Sequence, residues 1–412
     1  MLNSPRNIVV GVSGGIAAYK ACMLVRNLKE YGDDVRVVPT PNALKFVGAA
    51  TFEALSGHPV STEVFDAVDQ VQHVRVGQEA DLIVIAPATA DLMARIVAGR
   101  ADDLLTATIL VATCPVVIAP AMHTEMWNNP AMVANVKTLR ERGFVVLEPA
   151  HGRLTGKDSG PGRMLEPDQI ADLARTALEG VDYSYSLKGL KVVISAGGTQ
   201  ENIDPVRFIG NRSSGRQGFA LADIAAHRGA DVTIVAGATE ALETPPGANI
   251  VKVQSTREME QAVYEAAQDA DVVIMAAAVA DFRPDSEAQS KLKKGTSDDS
   301  LSTIHLVENP DILVGLVEKR RSGELSETTT LVGFAAETGD DATTPLEYGR
   351  KKLQKKGCDL LMVNEVAGGR VFGESTNRGW LLGSDGSETV VEDGSKHLVA
   401  AQIMDAVEEF RV

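Results

Sequence analysis

Short apolar runs alternate with helix-length segments along almost the whole chain, and each run has the length of a buried strand. In the first part the runs are IVVGVS (8–13), VRVVPT (35–40), LIVIAPA (82–88), PVVIAPA (115–121) and FVVLEP (144–149). Between the first two, Ile16, Tyr19, Leu24 and Leu28 recur at helical spacing. Near-continuous apolar strands separated by helices predict a parallel sheet covered on both faces. The pattern restarts at KVVISAGG (191–198) and continues through DVTIVAG (231–237), NIVKVQ (249–254), DVVIMAAA (271–278), TLVGFAAE (330–337) and LLMVNE (360–365). The polar, aperiodic EGVDYSYSLKG (179–189) divides the two series, which predicts two doubly wound, Rossmann-like α/β domains over 1–180 and 188–412. Near the end, WLLGSDGSETVV (380–391) reads as a hairpin around Asp385-Gly386, followed by a helix from about Ser395.

ADLIVIAPATAD (80–91) and ADVVIMAAAVAD (270–281) share an apolar strand, then alanines, then an aspartate. Small residues at a strand's carboxyl end let a ligand approach the backbone, which is where open α/β sheets bind ligands. The echo points to two similar halves; its plain alternative is that apolar strands resemble one another. The most polar stretch, QSKLKKGTSDDS (289–300), lies between core elements and is longer than a routine connection, as functional lids and disordered segments are.

Composition narrows the function classes. At 412 residues the chain is long enough for two or three domains of about 150 residues each. A net charge of −16 argues against a nucleic-acid or anionic-membrane surface, which needs a basic footprint, yet leaves room for a phosphate ligand held by backbone amides. Three widely spaced cysteines, Cys22, Cys114 and Cys358, form no CxxC pair, so reduced thiols are expected rather than a disulfide framework or a zinc knuckle. No signal-peptide pattern and no apolar run of about 18 residues is present, which predicts a cytoplasmic protein.

GVSGGIAAYK (11–20) sets Ser13, Gly14 and Gly15 between a strand and a helix. Exposed amides there hold a phosphate, and glycines remove side chains that would block it; a structural tight turn is the plain alternative. VQHVRVG (71–77) carries His73 just before a strand, PATADLMARIVAGRADDLL (87–105) follows that strand, and PAMHTEMW (120–127) follows the next. In this order the segments resemble the homo-oligomeric flavin-containing cysteine decarboxylases, specifically phosphopantothenoylcysteine decarboxylase, over about residues 6–178. The resemblance implies a flavodoxin-like domain with the FMN phosphate near Ser13, Gly14 and Gly15. Thr40, Ala86, Ala88 and Thr89 would line the remainder, and His73 matches the family's catalytic histidine. Loss of carbon dioxide from a cysteinyl carboxylate needs an electron sink, which oxidation of the thiol-bearing carbon supplies. A base near the thiol and Cβ is required, and histidine suits it. Two departures stand out. His123 occupies the position of an asparagine in the family's usual PxMNxxMW, where an imidazole still hydrogen-bonds a carboxylate. HGRLTGKDSGPGRM (151–164) resembles the substrate-covering flap, but Thr155 stands near the place of its cysteine, with about one residue inserted, and is too weak an acid to replace it.

SAGGTQENIDPVRFIGNRSSGRQG (195–218) joins a strand to a helix by a loop of unusual length. Gly197, Gly198, Ser213, Ser214 and Gly215 can present amides to polyphosphate, and Arg207, Arg212 and Arg216 add positive charge. With AAAVADFRP (276–284), SKLKK (290–294), VENPDIL (307–313) and VGFAAET (332–338), the loop resembles phosphopantothenate–cysteine ligase over about residues 188–412. A double match in this order points to the fused bacterial type, whose ligase uses CTP. By that resemblance Lys291 is the lysine of the flexible loop and Asn211 handles the acyl-cytidylate. Ala280, Asp281, Lys294, Asn309, Asp311 and Phe334 fall in the CTP and substrate motifs, with Asp281 near ribose or Mg²⁺. An activated carboxylate is needed because an amine cannot displace oxide, and Mg²⁺ and lysines neutralise the departing pyrophosphate.

Together these imply conversion of 4'-phosphopantothenate, L-cysteine and CTP into 4'-phosphopantetheine. The resemblance also implies a homo-oligomer, with a trimeric flavin half and a dimeric ligase half combining in a dodecamer. Two alternatives stay open at this stage. A two-domain nicotinamide oxidoreductase would need a GxGxxG fingerprint that is absent, and a non-catalytic flavoprotein regulator would not need the ligase motifs.

Overall fold

In a computed structural model, described for residues 5–63, 72–153, 159–292, 303–337, 344–365 and 376–411, the chain forms two compact units, Met1–Ser184 and Tyr185–Val412. The first unit is built on five parallel strands, β1 (Asn7–Val12), β2 (Asp34–Pro39), β3 (Leu82–Ala88), β4 (Val116–Pro120) and β5 (Val145–Val146). Their order, β2-β1-β3-β4-β5, is the flavodoxin-like one. Every residue of β3 is buried, as the central strand of a sheet covered on both sides must be. The helix Ala18–Glu30 turns Ala18, Ala21, Leu24, Val25 and Leu28 inward, and packs beside the helix Pro167–Leu178. A short antiparallel hairpin, β6 (Ala150–Arg153) and β7 (Ser159–Arg163), stands apart from the sheet.

The second unit continues the numbering with β8 (Lys191–Ala196), the hairpin β9 (Gln200–Asn202) and β10 (Phe208–Gly210), then β11 (Asp231–Ala236), β12 (Asn249–Lys252) and β13 (Val272–Met275). A second hairpin of β14 (Phe282–Pro284) and β15 (Leu306–Glu308) precedes β16 (Thr330–Glu337), β17 (Leu360–Glu365), β18 (Thr376–Gly383) and β19 (Glu388–Ser395). The main sheet runs β12-β11-β8-β13-β16-β17-β18-β19; its first six strands are parallel and the last two antiparallel. Ser395 N-caps the last helix, Lys396–Phe410, through Leu398 N–H at 3.1 Å. The α/β architecture read from the apolar runs is the one observed.

Three local features add to the sequence reading. His73 lies inside a helix, Gln72–Glu79, which directly precedes β3. The residues around it show amphipathic 3.6 spacing, with Val76 and Ala80 on the buried side. The long loop after β8 contains the β9–β10 hairpin, and of FVVLEP only Val145–Val146 joins the sheet. Among the described residues no helix is long and apolar enough to cross a membrane.

Candidate functional site

In the first unit the chain order reverses between β1 and β3, so the loops at their carboxyl ends diverge and leave a crevice. Ser13 ties those loops together. Its hydroxyl donates to Pro87 O at 2.7 Å and accepts Thr89 N–H at 2.9 Å, and its own N–H reaches Pro87 O at 3.1 Å. The Ser13 side chain is therefore spent inside the protein. The amides of Gly14, Gly15 and Ile16 donate to no acceptor among the described residues, which leaves a run of N–H groups facing outward at a helix start. Thr40 is buried beside them: its N–H bonds Val12 O at 2.8 Å and its hydroxyl accepts Ala43 N–H at 3.3 Å. Thr89 N-caps the helix Ala90–Val97.

Next to this loop lies a cavity of about 430 Å³, bordered by Gly15, Tyr19, Lys20, Thr89, His123 and Arg163 among others. It unites sequence positions far apart: the first βα turn, the end of β3, the segment after β4, and the hairpin β6–β7. Gly160 and Gly162 let the hairpin rest on the backbone around His123. A Cβ at 162 would lie 2.3 Å from Met122 O, and one at 160 would lie 2.7 Å from Thr124 Oγ1. Met122 N–H donates to Gly162 O at 2.9 Å and fixes the contact. Lys20, almost fully buried, donates to Glu166 at 2.8 Å and to Met164 O at 3.3 Å, while Arg163 also pairs with Glu166. Burial pushes the Glu166 carboxyl up, but Lys20 and Arg163 outweigh it and hold it below its ordinary value. These cations were not singled out in the sequence. Lys20 was legible as a lysine on the apolar face of its helix; Arg163 gave no local signal.

The remaining predicted positions fall elsewhere. Ala86 and Ala88 are enclosed in β3 and do not border the cavity. Neither does His73, which is half-buried in its helix against the helix Leu104–Val111, with Nδ1 buried and without a partner among the described residues. Thr155 and Lys294 lie outside the described residues.

The second unit repeats the device at its own reversal, between β8 and β13. The segment after β13 is clamped by side chains from the end of β8 and the loop that follows it. Ser195 Oγ accepts Ala277 N–H at 3.1 Å, Thr199 Oγ1 accepts Ala280 N–H at 2.9 Å, and Asn211 Nδ2 donates to Val279 O at 2.8 Å. Asn309 completes the clamp by donating to Ala280 O at 2.8 Å and to Thr256 Oγ1 at 3.2 Å. Glu201, buried and unsuspected from sequence, accepts both N–H and hydroxyl of Thr256. Gly197 requires its glycine: φ is +78°, and a Cβ would sit 2.5 Å from Ala238 O. Gly215, at φ +80°, opens the helix Arg216–His227, and the amides of Arg212, Ser213 and Ser214 before it have no acceptor among the described residues. Asp281 is exposed at the mouth, and Phe334 is half-buried on β16. Asp311 instead caps the helix Ile312–Ser322 through Val314 N–H at 3.2 Å and pairs with Lys356. No group of three or more metal-ligating side chains occurs among the described residues.

Lys291 is positioned through its neighbour. Asp204, buried, accepts Leu292 N–H at 3.2 Å, and Arg207 Nη2 donates to Leu292 O at 3.0 Å. Burial pushes the Asp204 carboxyl up, but the N–H groups of Val206, Leu292 and Arg207 and the Arg207 charge outweigh it, so it lies below its ordinary value. A lowered carboxylate stabilises the fold above the unfolded value of about 3.9, and that contribution disappears as pH falls through the lower, folded value. Asp204→Asn should reproduce the loss at neutral pH. An amide oxygen is a weaker acceptor than a carboxylate, so hydrogen exchange at Leu292 should quicken by about tenfold or more; unchanged protection would mean that Asp204 does not hold this segment.

The comparisons with known proteins follow the same division. The Flavoprotein family matches residues 1–179, and the DNA/pantothenate metabolism flavoprotein C-terminal domain family matches residues 187–410. The "Coenzyme A biosynthesis bifunctional protein CoaBC" of Mycolicibacterium smegmatis is 58% identical over 410 residues, covering 99% of this chain and 99% of the relative. The protein of the same name from Vibrio vulnificus is 42% identical over 406 residues, covering 98% and 97%. A solved structure described as the C-terminal domain of CoaBC covers 55% of this chain and 97% of its own, at 35% identity and a TM-score of 0.44. Full-length identity at this level, with both domain families in the order read from the motifs, decides the assignment: the chain belongs to the bifunctional coenzyme A biosynthesis family.

Proposed function

We propose that residues 1–180 form an FMN-dependent phosphopantothenoylcysteine decarboxylase and residues 188–412 a CTP-dependent phosphopantothenate–cysteine ligase, acting in succession in the cytoplasm. The observation that carries this is the reversal point in each sheet, flanked in both units by amides without acceptors among the described residues. Relatives that are bifunctional biosynthetic proteins over their full length favour neither a nicotinamide oxidoreductase nor a non-catalytic regulator. Incubation with phosphopantothenate, cysteine, CTP and Mg²⁺ should yield phosphopantetheine, identified by mass. No amide product and no carbon dioxide would refute the proposal.

In the first unit the amides of Gly14, Gly15 and Ile16 fit the flavin phosphate, and Thr89 borders the same opening. Bound flavin would supply reversible hydride acceptance from the sulfur-bearing carbon of the substrate. His123 holds the substrate carboxylate in the cavity, with Lys20 and Arg163 raising the local positive potential. His73 takes the proton from the thiol and Cβ region. Since His73 does not border the cavity of its own chain, a homo-oligomer in which one copy's His73 serves another's cavity accommodates both residues; a trimer is the form proposed for this half. Gly14→Ala tests the cradle: a Cβ there would lie 2.5 Å from Asn42 Cβ and 2.8 Å from the Asn42 carbonyl carbon. Flavin affinity should fall by about tenfold or more, each tenfold being about 1.4 kcal/mol, and full flavin content in the purified variant would move the phosphate elsewhere.

In the second unit the loop at Gly197 and the 212–214 amides receive the triphosphate, with Arg207 and Lys294 adding positive charge; the Gly198 N–H is instead spent on Ala238 O at 2.9 Å. Asp281 would stand near the ribose or Mg²⁺. One exposed carboxylate suits a Mg²⁺ carried in on the triphosphate rather than a resident metal. Ala280, Asn309 and Phe334 shape the pocket for the base and acyl chain, and Lys291 neutralises charge as pyrophosphate leaves. Asn211 orients the acyl-cytidylate for attack by the cysteine amine. This half is proposed to dimerise, so that trimers and dimers together close a dodecamer.

A further inference from the structure

We propose that His123 is the group that protonates the substrate carbon from which carbon dioxide has just departed. The inference rests on the decarboxylase reading above and adds to it a residue role. His123 occupies the N-cap position of the short helix Thr124–Trp127, with φ −67° and ψ 151°, yet its side chain makes no capping bond. Its imidazole is exposed, borders the cavity, and has no hydrogen-bond partner among the described residues. The hairpin β6–β7 is held against this turn by the Met122–Gly162 bond, so the closing side of the cavity meets His123 at short range.

The other candidates for a proton donor are poorly placed. No cysteine borders the cavity: Cys22 and Cys114 lie elsewhere, and burial pushes both thiols up. Lys20 is committed to Glu166 and Met164 O, and a guanidinium such as Arg163 does not release its proton. Imidazole is the side chain that exchanges protons readily near neutral pH. Tyr19 is the one remaining acid bordering the cavity among the described residues, and its side chain is largely exposed.

The geometry of decarboxylation supplies the rest. A group that donates a hydrogen bond to a carboxylate becomes, once that carboxylate has left as carbon dioxide, the protein donor nearest to the carbon left behind. The remnant is an enethiolate, with a double bond between Cα and the sulfur-bearing Cβ. An N–H of the imidazolium gives its proton to Cα, and the electron pair of the carbon–carbon double bond forms that C–H bond. A sulfur lone pair restores the C=S bond of a thioaldehyde. Bound reduced flavin would supply the hydride that Cβ needs, which leaves sulfur as thiolate, and solvent reprotonates the exposed imidazole. Every electron taken from Cβ in the first half is thereby returned.

Two measurements isolate this proton. In the first, the holoenzyme and its His123→Asn variant turn over phosphopantothenoylcysteine, and the ratio of dehydro product (lighter by two hydrogens) to fully reduced product is read by mass. The ratio should rise on the order of 10²-fold in the variant, the scale of a lost general acid. In the second, the enethiol itself is given to holoenzyme with its flavin kept oxidised, in deuterated water. No hydride can return, and the enethiol has no carboxylate, so deuterium entering Cα reports proton transfer alone. Native protein should accelerate that exchange and His123→Asn should not. An unchanged product ratio with unchanged exchange would overturn the proposal. So would a rise in dehydro product caused by Tyr19→Phe and absent from His123→Asn. If the native protein releases no carbon dioxide at all, the decarboxylase reading itself fails, a result distinct from either.

Discussion

Lys291→Gln is expected to eliminate CTP-dependent amide formation while decarboxylation of supplied phosphopantothenoylcysteine continues. Glutamine keeps most of the side chain's length and removes its charge. As pyrophosphate leaves, negative charge accumulates on the leaving oxygens, and a preorganised cation there contributes about 3–4 kcal/mol, or on the order of 10²–10³ in rate. The fold should be indifferent, because Lys291 is exposed and its segment is held through Leu292 by Asp204 and Arg207. Pyrophosphate release and amide formation are measured separately from carbon dioxide release. Loss of both activities would show that the two compact units do not act independently; retention of amide formation would remove Lys291 from the chemistry.

His73→Asn should retain flavin and lose decarboxylation, by about 10²–10⁴-fold for a missing general base. In one chain His73 sits on the helix Gln72–Glu79 and does not border the cavity beside the glycine loop. That separation gives a sharper experiment. If His73 of one copy completes another's cavity, assembling mixed oligomers of His73→Asn with the flavin-deficient Gly14→Ala chain should restore part of the activity that each lacks. Mixtures that stay inactive, although mixed oligomers form, would place the base within its own chain or remove it. Unchanged turnover by His73→Asn alone would exclude it as the base.

Much of this molecule is written in local pattern. Apolar runs of strand length, broken by amphipathic helices and restarting after residue 189, specify two parallel α/β sheets, because only strands buried on both faces lack polar alternation. Glycines at 14, 197 and 215 mark the phosphate-sized turns, since backbone that meets another backbone or takes a positive φ excludes a Cβ. The Asp385-Gly386 hairpin and the Ser395 cap were equally legible, both being contacts between near neighbours in the chain.

Tertiary structure alone decided which of these pieces meet. Ser13 reads as a phosphate ligand but spends its hydroxyl on Pro87 and Thr89, more than seventy residues away. Asp311 reads as a substrate contact but caps a helix, and Glu201 gives no sign of the buried bonds it makes to Thr256. The cavity around His123, its cations Lys20 and Arg163, and the exclusion of His73 from it depend on strand order β2-β1-β3-β4-β5. Periodicity encodes which face of an element is buried. Strand order is set by the summed packing of the whole domain, so the company each side chain keeps emerges only when the sheet has closed.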